Sequence, residues 1–426
     1  MNMTKFRRIT RSARARAAIV LAAVMGASGI GAASVATLVA SPPPAAAAAA
    51  HGAIAYVVRS DGVIQRIDTA TNKKIGAPVG SEVYANDIAL SPDGATAFLP
   101  NPSVNGVETY DTHTGAFDTL AGYGGGSPIA AAVSPDGTKA FFADQEDGTL
   151  RIVDLGDHSV QSVDTGGSPY DVAVSPDGQT AWVSVDSEGS YVAKVDLTGE
   201  SPSISDEIGI GTGARGIAIT PDGSDVFVTS YYDQTVTRIA TADDSTQTIP
   251  MPANTFPEAV AITPDGSTAY VTSGAQGFVY PIDTATDAVG DPINVGGYPA
   301  SVAVTPDGHS LYVGALNNES AGGFHPADDT TTSFEQPVVS GRVVVVDTAS
   351  NSVVTKLTMA GHDPYQIAIG PDQAPVARLS VAPGPVGEPS DFDASASTSS
   401  PSPITDYAWD FGDGNTEHTA TPKSHE

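Results

Sequence analysis

The stretch Val172-Ala173-Val174-Ser175-Pro176-Asp177-Gly178-Gln179-Thr180-Ala181-Trp182-Val183 holds a strand, a tight turn and a second strand. Proline at the second turn position presets φ, and the glycine tolerates the positive φ that closes the turn. Branched residues flanking a small one, followed by an aromatic run, are strand patterns.

The block recurs. Its tetrapeptide appears as Ser91-Pro92-Asp93-Gly94, Ser134-Pro135-Asp136-Gly137, Thr220-Pro221-Asp222-Gly223, Thr263-Pro264-Asp265-Gly266 and Thr305-Pro306-Asp307-Gly308. A worn copy is Gly370-Pro371-Asp372-Gln373. The six spacings run 43, 41, 45, 43, 42 and 65, the last being one period plus about twenty inserted residues at 316–340. Two positions before each copy stands an alanine: Ala89, Ala132, Ala173, Ala218, Ala261, Ala303 and Ala368. Seven residues after the start of the first six copies comes an aromatic: Phe98, Phe141, Trp182, Phe227, Tyr270 and Tyr312, with Tyr56 in an initial unit. A third strand ends in Asp-Thr, as at Arg66–Asp68 and Val343–Asp347, and a fourth leads into a Gly/Pro loop.

Four short strands per period, seven times over, predict an all-β, seven-bladed β-propeller across residues 52–373. The first strand of each blade should lie nearest the central channel, where a Val-Ala-Val run suits a strand covered on both faces. Ala53–Val58 is of the second-strand type and Tyr365–Ile369 of the first. The last strand can therefore complete the first blade, a 3+1 closure that hides sheet edges. The chain has no cysteine, so this closure takes the place of disulfides.

Phe227-Val228-Thr229-Ser230 and Tyr270-Val271-Thr272-Ser273, with the Pro-Asp-Gly turns, resemble YVTN-type propeller repeats of prokaryotic surface and periplasmic proteins. The resemblance implies a fold and no particular activity. Residues 374–426 shift in composition. Tyr407-Ala408-Trp409-Asp410-Phe411-Gly412-Asp413-Gly414 resembles the central motif of PKD domains, small Ig-like β-sandwiches of extracellular proteins. The resemblance implies a partial sandwich, because the closing hairpin of that family has no counterpart before Glu426.

The 426 residues carry 49 acids against 19 bases, a formal charge of −30. Six of the bases (Lys5, Arg7, Arg8, Arg11, Arg14, Arg16) lie in residues 1–50, which contain no acid. A basic start, an apolar run at 17–40 and a Pro/Ala tail read as a signal peptide over 1–50. Without it the body holds 13 bases and 49 acids, a charge of −36. Such a body cannot supply the basic stripe that nucleic acid requires. No later segment has 18 consecutive apolar residues, so no membrane span is expected in the mature chain. The expectation is a monomer exported to the extracellular space or cell surface.

The uniform turns read as structure. The opposite face carries the loops entering each first strand, and there the sequence varies. Asn86, Tyr170, Arg215, Glu258 and Tyr365 stand five positions before their tetrapeptides, and Asp87 and Asp171 follow one residue later. These residues should ring the channel mouth. Asp87, Asp171 and Glu258 offer oxygen ligands for a calcium-like ion, as in lactonase-type propellers, or simply line a wet channel. His325 in the insertion, with Asp328 and Asp329, and His362 beside Asp363 are candidate acid–base pairs. Tyr170, Tyr365, Tyr231 and Tyr232 offer faces for a sugar or peptide. The leading expectation is a binding protein for an extracellular protein or a cell-wall or glycan ligand, without catalysis and without a cofactor. The alternative is a lactonase- or lyase-type enzyme using a channel-mouth metal or histidine.

Overall fold

The computed structural model describes residues 17–20, 53–80, 85–187, 189–317, 341–360, 362–370, 380–382, 391–393, 407–410 and 416–419. Residues 50–372 form one compact unit, and residues 1–49 with 373–426 form another.

The first unit is a seven-bladed β-propeller of antiparallel sheets, and in blades 2 to 7 the strands run outward in chain order. Blade 1 joins Pro364–Gly370 to Ile54–Arg59, Val63–Asp68 and Lys73–Gly80, so the 3+1 closure is present. Its closing pair runs from Ile54 opposite Gly370 to Arg59 opposite Pro364. The inner strands of blades 2 to 7 are Ala89–Leu90, Pro128–Val133, Ser168–Val174, Ala214–Ile219, Pro257–Ile262 and Tyr298–Val304. Neighbouring inner strands touch all the way round, including Pro364–Gly370 against Ala89–Leu90.

One pairing explains the repeated alanine and aromatic. In every blade the alanine sits directly across from the aromatic of the second strand: Ala368–Tyr56, Ala89–Phe98, Ala132–Phe141, Ala173–Trp182, Ala218–Phe227, Ala261–Tyr270 and Ala303–Tyr312. Directly opposed side chains on one sheet face are about 5 Å apart, so a small partner leaves room for a ring to fill the gap between blades. The rings of Tyr56, Phe141, Trp182, Phe227, Tyr270 and Tyr312 are almost wholly buried. The expectation for the inner strands needs correction. All seven alanines are only half-buried, because the inner strands border the channel. The strand covered on both faces is the second, as in Asp225–Ser230, buried throughout after its first residue.

The turns repeat their hydrogen bonds as faithfully as their sequence. The Ser175 hydroxyl donates to Asp177 Oδ1 at 2.6 Å and accepts the Thr180 N–H at 2.9 Å, and Gly178 N–H donates to Ser175 O at 2.8 Å. The first hydroxyl and the aspartate make the same contact at Ser91, Ser134, Thr220, Thr263 and Thr305. Gly178 has φ +71°, and Pro135 of the preceding blade's turn packs beside it. The Asp-Thr strand ends cap the outer hairpins. Asp111 accepts two N–H groups, and Thr112 donates to Gly94 O at 2.6 Å.

Blade 6 departs from the pattern. Its outer strand splits into Ala288–Val289 and Ile293–Asn294, both paired with Phe278–Asp283. Pro281 in that third strand has no N–H to donate, so the ladder lapses beside it.

In the second unit Tyr407–Asp410 pairs antiparallel with Thr416–Thr419, and Ser380–Ala382 with Asp391–Asp393. Ala17–Val20 runs parallel to Tyr407–Asp410. The rest of the segment read as a signal peptide, and the Gly412-Asp413-Gly414 turn, lie outside the described residues. Among the described residues no helix is long and apolar enough to cross a membrane.

Candidate functional site at the channel mouth

Each blade enters its inner strand on the face opposite the Pro-Asp-Gly turns. Side chains of one blade fix the entering backbone of the next. Ser184, in the second strand of blade 4, donates to Arg215 O at 2.6 Å, and Thr229 of blade 5 donates to Glu258 O at 2.9 Å. Gly216 lets blades 5 and 6 meet, since a β-carbon there would lie 2.8 Å from Glu258 O.

Arg215 and Glu258 are thereby brought together between blades 4, 5 and 6. The Arg215 guanidinium lies 4.3 Å from the centre of the Tyr170 ring and 5.5 Å from that of Tyr231. Its Nη1 is 3.4 Å from Asp186 Oδ2, and its Nε is 3.9 Å from Glu258 Oε2. The second distance is an ion pair without a hydrogen bond, and Glu258 Oε2 is buried without a hydrogen-bond partner. Glu258 Oε1 accepts the Tyr298 hydroxyl at 3.3 Å. Tyr231 packs edge-on against Tyr232, whose side of the pair is half exposed.

Electrostatics follow from burial. Loss of water pushes the Glu258 carboxyl up to about 7, although Arg215 and the Tyr298 hydroxyl pull it down. Burial likewise pushes the Tyr231 phenol up to about 12 and Tyr298 well above its ordinary value. For Arg215 burial lowers the pKa, but Tyr170, Glu258 and Asp186 outweigh it and raise the net value.

Asp87 and Asp171 are in a different setting. Asp87 Oδ2 accepts the Ala131 N–H at 2.9 Å, and Asp171 Oδ2 accepts the Ile217 N–H at 3.0 Å. Each carboxylate therefore ties its inner strand to the next blade. The ring wall surrounds both, although part of each side chain stays open to the channel. Desolvation pushes Asp87 up to about 6, and desolvation with the charge of Asp87 pushes Asp171 up to about 7.

The remaining candidates are scattered. Asn86 donates its backbone N–H to Pro100 O at 2.9 Å, and Tyr365 is half-buried at the start of its inner strand. His362 does not work with Asp363. Its Nε2 faces Asp61 Oδ2 at 3.4 Å, a carboxylate held by Arg59, while Asp363 Oδ1 accepts the Asn317 N–H at 2.7 Å. His325, Asp328 and Asp329 lie outside the described residues. Among the described residues no group of three or more His, Asp or Glu side chains is placed to hold a metal ion. Two members of the Arg215 cluster escaped the sequence reading. Tyr298 stands seven residues before its tetrapeptide, two before the counted position, and Asp186 ends a second strand.

Residues 372–425 match the family model of the PKD domain. No curated protein matches the chain. Among solved structures, hydrazine synthase of Kuenenia stuttgartiensis superposes with a TM-score of 0.55 at 20% identity, covering 70% of this chain and 90% of that one. A functionally unknown protein of Desulfotomaculum acetoxidans gives 0.58 at 16% identity, covering 75% and 100%. A provisionally assigned 6-phosphogluconolactonase of Bacteroides uniformis gives 0.57 at 14% identity, covering 75% and 99%. These likenesses are of fold.

Proposed function

We propose that this protein is an exported recognition protein that binds a neutral saccharide at the channel mouth between blades 4 and 6. The observation that carries the reading is Arg215, buried between Tyr170 and Tyr231 and facing a Glu258 oxygen that no protein donor reaches. A sugar presents apolar ring faces and a fringe of hydroxyls. Tyrosine faces suit the former. A guanidinium and a carboxyl suit the latter. One cation set against Asp186 and a partly protonated Glu258 leaves the site near neutrality, which suits an uncharged ligand. Export rests on the basic and apolar pattern of residues 1–50, and the PKD match supports an extracellular setting.

The test is calorimetric titration with neutral cell-wall oligosaccharides against the parent chain, Tyr232→Ala and Arg215→Ala. Tyr232 is 50% exposed, so its truncation should weaken binding at least tenfold without changing Tm. Equal affinity in all three proteins would refute the reading.

A Glu258 carboxyl near 7, bonded to the Tyr298 hydroxyl, also has the properties of a general acid–base. If the site is catalytic, a lactone or glycan is turned over, and Glu258→Gln abolishes turnover while leaving binding intact.

A further inference from the structure

The turn face carries a second, independent feature. On the rim of the ring most blades reach across to the next through one long side chain. Its target is the residue that closes the next blade's outer hairpin with positive φ. Lys194 reaches Asp244 at 2.7 Å, Arg238 reaches Asp287 at 2.8 Å, and Tyr270 donates to Asn351 at 2.9 Å. Tyr312 donates to Asn72 in the same way across the closing blade.

Between blades 2 and 3 this latch is missing. The corresponding hairpin residue is His158, with φ +60° and its N–H on Asp154 O, as Asp287 donates to Asp283 O. The residues that should reach it are Phe98, in the place of Phe227, and its cross-strand partner Thr109, in the place of Arg238. Neither is long enough or basic. An open cleft of about 480 Å³ lies at this joint. Phe98, Leu120 and Leu155 supply its apolar lining, and Asp93, Asp136 and His158 its ionisable one.

We propose that this cleft is a docking slot for an arginine or lysine side chain of a partner polypeptide, which supplies in trans the latch that Lys194 and Arg238 supply in cis. The size, the apolar lining for a methylene stem and the two carboxylates all suit such a side chain. So does the charge of the body. The slot owes nothing to the channel-mouth cluster, which lies on the other face.

The experiment is ligand-observed saturation-transfer NMR on the full chain with acetyl-Gly-Arg-Gly-amide, and with the citrulline analogue as the uncharged control. The arginine peptide should receive saturation on its side-chain methylenes, and the citrulline peptide at least fivefold less. Thr109→Arg places a guanidinium in the slot from within. It should remove at least four-fifths of the signal while keeping or raising Tm. His158→Asp restores the acidic latch partner seen at Asp287 and should strengthen binding at least threefold. Arg215→Ala should leave the signal unchanged, which separates this result from the fate of the saccharide site. No signal in the parent chain would overturn the slot. So would a signal undiminished by Thr109→Arg, which would mean general attraction to an acidic surface. If Thr109→Arg fails to fold, unchanged or weaker binding by His158→Asp overturns the proposal alone.

Discussion

The two faces of the ring use the same side-chain chemistry to opposite ends. On the turn face Asp93, Asp136, Asp177, Asp222 and Asp265 are exposed, and each accepts a neighbouring hydroxyl and N–H, which holds its carboxyl below the ordinary range. At the channel the wall strips water from Asp87, Asp171 and Glu258, and burial drives them up to about 6, 7 and 7. Donors to the charged form dominate on one face and desolvation on the other. The face that repeats is tuned for folding. The face that varies holds groups kept against their own electrostatic preference, as functional sites often do.

The largest effect should come from the scaffold side of this contrast. Phe227→Ala removes a fully buried ring from between blades 5 and 6 and should cost about 3–5 kcal/mol. Chemical denaturation measures this directly, and a loss under about 1 kcal/mol would show that the alanine–aromatic pair is not what fills the blade interface.

The second prediction sets the faces against each other through pH. The channel carboxyls have folded pKa values above their unfolded ones, so the stability they confer is full below about pH 4 and is lost as pH rises through 6 to 7. The turn carboxyls are depressed, so theirs is present at neutrality and lost as pH falls below about 4. Tm should therefore peak at about pH 4–6 and decline by roughly 5 °C toward pH 8. Asp171→Asn should flatten the alkaline decline and leave the acid limb alone.

The smallest effect is local to one turn. Gly178→Ala forces a β-carbon onto φ +71° beside Pro135 and should cost about 1–2 kcal/mol. Thermal melts at pH 5 would register it as a shift of a few degrees with saccharide binding unchanged.

Most of the ring was legible because its physics repeats. The Pro-Asp-Gly turns, the alanine–aromatic spacing and the strand types at the two ends of the repeats were enough to place seven blades and their closure. The half-open inner strands were not legible. Alternating apolar residues look alike whether they border protein or a channel. At the mouth, counting back from each turn found Arg215 and Glu258 but could not say that they meet. Their approach depends on the Gly216 contact and on hydroxyls from neighbouring blades. Tyr298 and Asp186 join the cluster through reach rather than register, which a one-dimensional count does not carry.

The contrast between the faces can be measured on individual carboxyl groups. With side-chain carboxyl ¹³C labelling and assignment by Glu258→Gln, Asp171→Asn and Asp177→Asn, the shifts are followed from pH 2.5 to 9. Midpoints near 7 are expected for Glu258 and Asp171, and a midpoint below the ordinary carboxylate range for Asp177, held down by the Ser175 hydroxyl and the Gln179 N–H. Three midpoints together in the ordinary carboxylate range would contradict the contrast.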